Sequence, residues 1–322
     1  MKICIVGATG YIGSYFANFL NKKNNYDLIA VVRNKSKNKL FLKKNFSKII
    51  HGQIEEENTV KKIVSLRPNY IIYTVSLNQK KSEENISESF KVGVFPLYNL
   101  VKKIKFNKIK TRIIYLSTVQ VYGNLNNYRV VNEYTPKLPL NIYSVTHSFC
   151  EDYLLENRDK NLKINILRLS NIFGSPELKS CDCWWLVLND FCKTAMQKKY
   201  IEIKSDGKSV RDFHHIDNVC EAMYQILMQR LNSPSIINIS SGKTYSVLEV
   251  AQKVYEIFNK SGSIRIILQN KKITINKLND IIKSNKISRP KITNSTNKIN
   301  NFNIQKTNIS EGIKLFKNSL LK

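Results

Sequence analysis

Residues Ile3-Cys4-Ile5-Val6-Gly7-Ala8-Thr9-Gly10-Tyr11-Ile12-Gly13 decide how the rest of the chain is read. An apolar run ends abruptly at Gly7, and Gly10 and Gly13 follow at three-residue spacing. An apolar-periodic stretch (Tyr11, Ile12, Tyr15, Phe16, Phe19, Leu20) continues from them. This order is a buried strand, a glycine turn and a helix. The glycines let the backbone turn tightly and approach a pyrophosphate, and the helix N-terminus presents free N–H groups and its positive dipole end to that anion. A glycine pattern alone is weak, but here it has the strand before it and the helix after it that a dinucleotide site needs.

Working outward, strand-like runs at Leu28–Val32, Lys48–Ile50, Tyr70–Val75, Arg112–Leu116 and Ile164–Leu169 alternate with helical patterns at about 11–22, 56–66, 84–104 and 141–157. Alternation at this spacing predicts a doubly wound α/β fold of Rossmann type, a parallel sheet with helices on both faces. Beyond Leu169 the rhythm changes. Residues 171–215 read as an irregular insertion with a helix near 184–197 and a strand near 201–203. A helix at 217–230 and a strand at 235–239 return to the sheet, and a helix at 246–259 and a strand at Ile264–Leu268 follow. The Lys-, Asn-, Ser- and Thr-rich stretch 270–308 reads as a long, partly ordered loop, and a helix near 309–319 closes the chain. The expected organisation is a dinucleotide-binding domain from 1–170 and 216–240, with a smaller discontinuous α/β substrate domain from 171–215 and 241–322. Substrate would lie in the cleft between them.

Bulk composition narrows the partners. The 322 residues are 42% hydrophobic, ordinary for a globular chain with a real core. No stretch reaches the ~20 apolar residues of a membrane span, and the short apolar start runs into the glycine turn rather than a signal-peptide pattern. The net charge of +28 comes mostly from lysines spread among Asn and Ile, with no Arg-rich stripe or aromatic–basic interleaving, so no nucleic-acid partner is expected. Six cysteines stand at 4, 150, 181, 183, 192 and 220; none completes a zinc set, and reduced thiols in a cytoplasmic protein without metal are expected.

The chemistry concentrates at the end of the strand Arg112–Leu116. Ser117 and Thr118 put hydroxyls at a strand carboxyl end, where ligands sit in a parallel sheet. Tyr143 and His147 are i and i+4 on one helix and share a face. A cationic neighbour lowers a phenol's pKa, and such a tyrosine can take and return a hydroxyl proton while hydride moves to or from a nicotinamide.

These stretches, together with Leu116-Ser117-Thr118-x-x-Val121-Tyr122-Gly123, Tyr143-Ser144-Val145-Thr146-x-x-x-x-Glu151, Leu167-Arg168-Leu169-Ser170-Asn171-Ile172-Phe173-Gly174, Arg211-Asp212-Phe213-His214-His215-Ile216-Asp217-Asn218-Val219 and Asn238-Ile239-Ser240-Ser241-Gly242, resemble the extended short-chain dehydrogenase/reductases. Within them the chain is similar to the NAD-dependent epimerase/dehydratase group, which acts mostly on nucleotide sugars. The resemblance covers nearly the whole chain. It implies Thr118 as catalytic hydroxyl, Tyr143 as acid/base, Asn171 near the sugar and Arg211 clamping a nucleotide diphosphate; alternatively Arg211 and Asp212 pair internally and brace their loop. Cofactor contacts are expected from Gly7, Thr9, Gly10, Tyr11, Ile12, Gly13, Arg33, Gln53, Ile54, Tyr143 and His147. The group often dimerises through helices corresponding to about 84–104 and 141–157, and is associated with polysaccharide synthesis.

The departures shape the expected activity. His147 stands where the group has a lysine: either it acts in the lysine's place, or catalysis is lost or redirected and the chain is an NAD(P)-binding regulatory or scaffold protein. Val119 and Gln120 replace the Asp-Glu of sugar dehydratases and cannot protonate a leaving hydroxyl, which leaves epimerase or ketoreductase. Gln53 replaces a common Asp near the adenine, and Lys91 a common Asn. After the second strand there is no carboxylate for ribose hydroxyls; Arg33 and Lys35 suit the phosphate of NADP, although NAD remains open. Trp184 and Trp185 are expected in core packing, ahead of base stacking, and His215 is expected to be structural.

Overall fold

Strand β1 (Lys2–Val6) is buried at four of its five residues, and β2 (Asp27–Val32) and β4 (Tyr70–Tyr73) are as apolar. Strands apolar on both faces require helices on both sides. The computed structural model, which describes residues 1–23, 26–33, 38–125, 128–228, 235–259, 263–284, 289–292 and 307–321, meets that requirement. With β3 (Lys48–His51), β5 (Thr111–Thr118), β7 (Leu162–Leu169) and β11 (Ser235–Ile239) these strands form a seven-stranded sheet ordered β11-β7-β5-β4-β1-β2-β3. Every pairing in it is parallel. The chain direction across the sheet reverses between β1 and β4, so a crevice opens beyond the carboxyl ends of those strands.

Alternation along β1 assigns the two faces. Ile3 and Ile5 pack with Phe16 and Leu20 of α1 (Tyr11–Lys23) and Val219 and Met223 of α9 (Ile216–Met228). Cys4 and Val6 face α3 (Glu57–Ser65), α6 (Phe95–Phe106) and α7 (Ile142–Glu156) through Ile63, Leu97, Leu100 and Leu154. A short α2 (Lys39–Asn45) precedes β3. The helix expected over 84–104 is three helices: α4 (Gln79–Glu84), α5 (Ile86–Gly93) and α6. Asn85 ends the first and caps the second, accepting the Glu88 N–H at 2.9 Å, while Pro96 opens the third, where a missing N–H costs nothing.

A third core lies outside the seven-stranded sheet. It joins β8 (Asn171–Phe173), β9 (Tyr200–Ile203), β10 (Val210–His215), β12 (Thr244–Ser246), β13 (Arg265–Leu268) and β14 (Lys271–Ile273) with α8 (Val187–Gln197), α10 (Val247–Phe258), α11 (Ile275–Ser284) and α12 (Ile309–Leu320). The strands make two sheets, β12-β10-β8 and β14-β13-β9, packed around Phe173, Phe191, Ile201, Phe213, Leu248, Val254, Ile266 and Phe316. A two-stranded pair, β6 (Val130–Val131) with β15 (Lys291–Ile292), completes the sheets.

The described part of 270–308 corrects the expectation of a loop. It contains β14, α11 and β15, and Ile275, Leu278, Ile281 and Ile282 form an apolar stripe at helical spacing, with Leu278 fully buried. The Lys- and Asn-rich composition around that stripe obscured it. Among the described residues no helix is long and apolar enough to cross a membrane, and no group of three or more His, Cys, Asp or Glu is gathered to hold a metal ion.

Candidate active site

Gly7 turns the chain out of β1 at φ +90°, a conformation L side chains rarely adopt. A Cβ on Gly13 would lie 2.3 Å from the Gly7 carbonyl oxygen, so only glycine lets the first turn of α1 sit against the strand end. No acidic side chain occupies that first turn to oppose the dipole. Beside it a cavity of about 470 Å³ is lined by Gly7, Thr9, Gly10 and Tyr11, by Arg33 after β2, by Gln53 and Ile54 after β3, and by Tyr143. Its size and polar rim suit a small-molecule site, and the cradle, where a Cβ would clash, fits a dinucleotide. Of the other residues expected at the cofactor, Ile12 and His147 line a neighbouring cavity and Gly13 is buried against the turn. Arg33 is exposed on the lip; Lys35 lies outside the described residues.

The neighbouring cavity, about 690 Å³, is lined by Thr118 at the end of β5, Tyr143 and His147 on α7, Asn171 on β8, and Arg211 and Phe213 on β10. Tyr143 borders both cavities. Its position follows from how α7 begins. Asn141 and Ser144 form a capping box, and the Glu83 carboxylate accepts the Ile142 N–H at 2.6 Å. Thr118 lies close enough to the phenol to lower its pKa, and its Oγ1 accepts the Gln120 N–H at 3.2 Å.

Electrostatically the pair departs from the sequence expectation. Burial pushes the His147 imidazole from 6.5 down to about 4, so the ring is neutral at pH 7. The same desolvation pushes the Tyr143 phenol up to about 12, with Thr118 pulling the other way. Among the described residues no cation lowers it. His147 lies edge-on to Tyr143, ring centroids 4.6 Å apart, and its Nδ1 is 2.8 Å from the Tyr115 hydroxyl. Its Nε2 is buried without a hydrogen-bond partner among the described residues.

Beneath the strand end a buried network fixes the neighbouring hydroxyl. Glu151 accepts from Ser117 Oγ and, bidentately, from the Arg168 guanidinium (Nη2 to Oε2, 2.6 Å). Arg168 also donates to the Tyr122 hydroxyl, which donates to Asn238. Glu151 is 0% and Arg168 2% exposed, so the guanidinium is the main compensation for the carboxylate, with Lys137 Nζ adding a longer contact at 3.7 Å.

Arg211 does not pair with Asp212. Successive side chains on a strand point to opposite faces. Asp212 turns inward, accepting from the N–H and hydroxyl of Ser241 at 2.9 and 2.8 Å. Arg211 lines the cavity and forms no ion pair among the described residues; its Nε donates to Ser209 Oγ at 3.4 Å. Asn171 is held beside it by a bond from Nδ2 to the Asp212 carbonyl, 3.1 Å. The two tryptophans separate. Trp184 packs into the third core against Phe316, as expected, whereas Trp185 is 51% exposed and borders both cavities. His215 packs on Phe173 and reaches Asp217 at 3.4 Å. Sequence reasoning did not find Lys81 and Asp182, which meet at 3.0 Å on the cavity rim; at 101 positions apart they left no local signal.

The profile of the NAD-dependent epimerase/dehydratase family matches residues 3–240. The chain belongs to that family. Among family relatives, it is 26% identical over 282 residues to a dTDP-D-glucose 4,6-dehydratase of Dictyostelium discoideum, covering 80% of this chain and 62% of that one. A UDP-glucose 4-epimerase of Mycoplasma genitalium is 23% identical over 278 residues, covering 79% and 81%. The chain thus spans less than two thirds of the dehydratase's length, and 40% of a trifunctional Arabidopsis thaliana relative. In fold it superposes on a UDP-glucose 4-epimerase of Thermotoga maritima solved with UDP-glucose, at TM-score 0.80, 22% identity and full coverage of both chains. A Thermus thermophilus UDP-glucose 4-epimerase solved with NAD gives 0.78 at 18% identity, covering 99% and 98% of the two chains.

Proposed function

We propose that the chain is an NAD(P)-dependent nucleotide-sugar epimerase or ketoreductase. The observation that carries this reading is Tyr143, which neighbours Thr118 and borders both the cavity at the glycine turn and a second cavity lined by Arg211, an arginine in no ion pair among the described residues. A bound nicotinamide would accept and return a hydride at a sugar carbon. Tyr143 would take the proton of the adjacent hydroxyl, with Thr118 donating to the developing oxyanion. Arg211 would grip the nucleotide diphosphate with its forked donors, and Asn171 would meet the sugar. Gly7, Thr9, Gly10, Tyr11, Gln53 and Ile54 would hold the cofactor, with Ile12 and His147 on its substrate side. Arg33, exposed where the adenosine ribose would end, favours NADP over NAD. Dehydration is disfavoured: Val119 is buried and apolar, and Gln120 is neutral and hydrogen-bonded to Asn141 at 3.2 Å.

The proposed organisation keeps 1–170 with 216–240 as the cofactor domain and 171–215 with 241–322 as the substrate domain. A homodimer through α5, α6 and α7 is supported by Ile86, Phe95, Tyr98 and Phe149, large apolar side chains left exposed there.

A second reading, a non-catalytic or weakly active NAD(P)-binding protein, is favoured by the neutral His147 beside an unactivated phenol. Mass spectrometry of nucleotides released on denaturation, followed by turnover assays of the native chain and Tyr143→Phe on UDP-sugars, separates the cases. Stoichiometric NAD with turnover lost in Tyr143→Phe fits an epimerase and removes the NADP preference. An empty site that takes up NADPH and reduces a keto-sugar fits a ketoreductase. Cofactor binding without any turnover favours the second reading.

A further inference from the structure

The group that the proposed reaction leaves unexplained is the imidazole of His147. It is 3% exposed, lines the catalytic cavity, and has one ring nitrogen bonded and the other buried without a partner. Such an orphan is rare, because a buried polar nitrogen left unpaired is costly. The identity of its proton depends on Tyr115. A phenol is a better hydrogen-bond donor than a neutral imidazole N–H, and an imidazole nitrogen a better acceptor than a phenol oxygen. The competing group is the Cys150 thiol, a weak acceptor that sends its own hydrogen to the Gly93 carbonyl at 3.5 Å. No carboxylate is free to reverse this choice: Glu151, the nearest acid along α7, is consumed by Arg168 and Ser117. The remaining titratable neighbours are phenols, Tyr143 on α7, and Tyr73 on β4 behind Tyr115.

We infer that the Tyr115 hydroxyl donates to His147 Nδ1, holds the ring as its neutral Nε2–H tautomer, and so makes His147 an uncharged donor to a hydroxyl oxygen bound in the catalytic cavity. Tyr115 is then a positioning residue. The inference rests on the proposed reading in that the bound hydroxyl belongs to the cofactor ribose or to the sugar. It also separates two tasks: His147 can orient a ligand hydroxyl, but it brings no charge to lower the phenol of Tyr143.

The test is a ¹⁵N–¹H long-range correlation spectrum of the labelled full chain at pH 7, simple to assign because there are four histidines and His147→Gln removes one set. The expected result is a protonated Nε2 and a pyridine-type Nδ1. A protonated Nδ1, or both nitrogens protonated, overturns the inference. In Tyr115→Phe the two ring nitrogens should average; an unchanged tautomer would mean that Tyr115 does not set it. Addition of NAD or NADPH alone should shift Nε2 if the ribose is the acceptor, and UDP-glucose alone if the sugar is. No shift with either at saturation overturns the donor role. A correct tautomer and a ligand shift in a chain without turnover would count against the proposed activity and leave this inference standing.

Discussion

Replacing His147 with Gln should remove a pH-dependent weakness of the folded chain. Folding depresses the imidazole from 6.5 to about 4 by burial. The unfolded chain therefore binds this proton more readily than the folded one as the pH drops below 6.5, and stability is lost with falling pH. The contribution is intact above about pH 7 and fully lost near pH 4, which amounts to ~3 kcal/mol; by pH 5 the loss is already ~2 kcal/mol. At 3% exposure, solvent screening does little to reduce it. The assay is urea unfolding of both proteins at pH 7.5, 6.5, 5.5 and 5. The stability of the native chain relative to His147→Gln should fall by ~2 kcal/mol between pH 7.5 and 5, with the same m-value for each protein. A difference that stays flat across this range would refute the reasoning, because His147 would then titrate as it does in the unfolded chain.

Three further outcomes are expected. His147→Lys places a cation beside Tyr143, so phenolate absorbance and the rise of turnover with pH should both move to lower pH; an unmoved phenol would show that the two side chains do not couple. Arg211→Ala should raise KM for a UDP-sugar roughly 10- to 100-fold, from ~1.5–3 kcal/mol of charge-assisted hydrogen bonding, with the melting temperature little changed. Arg168→Met removes the bidentate partner of the buried Glu151 carboxylate, leaving it Ser117 and a longer contact to Lys137, and should cost ~3 kcal/mol in chemical denaturation; the double variant Arg168→Met, Glu151→Leu should recover much of it.

The dinucleotide cradle was legible because all its requirements are local. Strand, Gly7, Gly10 and Gly13, and helix follow one another within a few turns of chain, and the clash that forces Gly13 to be glycine involves Gly7, six residues away. The parallel sheet was legible for a related reason: strands buried on both faces are continuous apolar runs, and the helices between them are periodic. The third core was read less well. Strands β8 and β12 have three residues each, β10 carries polar residues along its length, all three are defined by pairing with residues far along the chain, and the stripe of α11 was masked by lysine and asparagine.

Local pattern was thus enough to establish the Rossmann sheet and to single out Thr118, Tyr143 and His147, whereas Asn171 and Arg211 became candidates only through the resemblance to the family. Periodicity and glycine spacing report backbone geometry over one or two turns. The tertiary structure decided the rest: that His147 is neutral, that Arg211 is free of Asp212, and that Trp184 is packed away while Trp185 borders both cavities. Charge state and partnership depend on desolvation and on groups contributed by distant segments, Tyr115 to His147 and Ser241 to Asp212. These couplings exist only once the chain has packed.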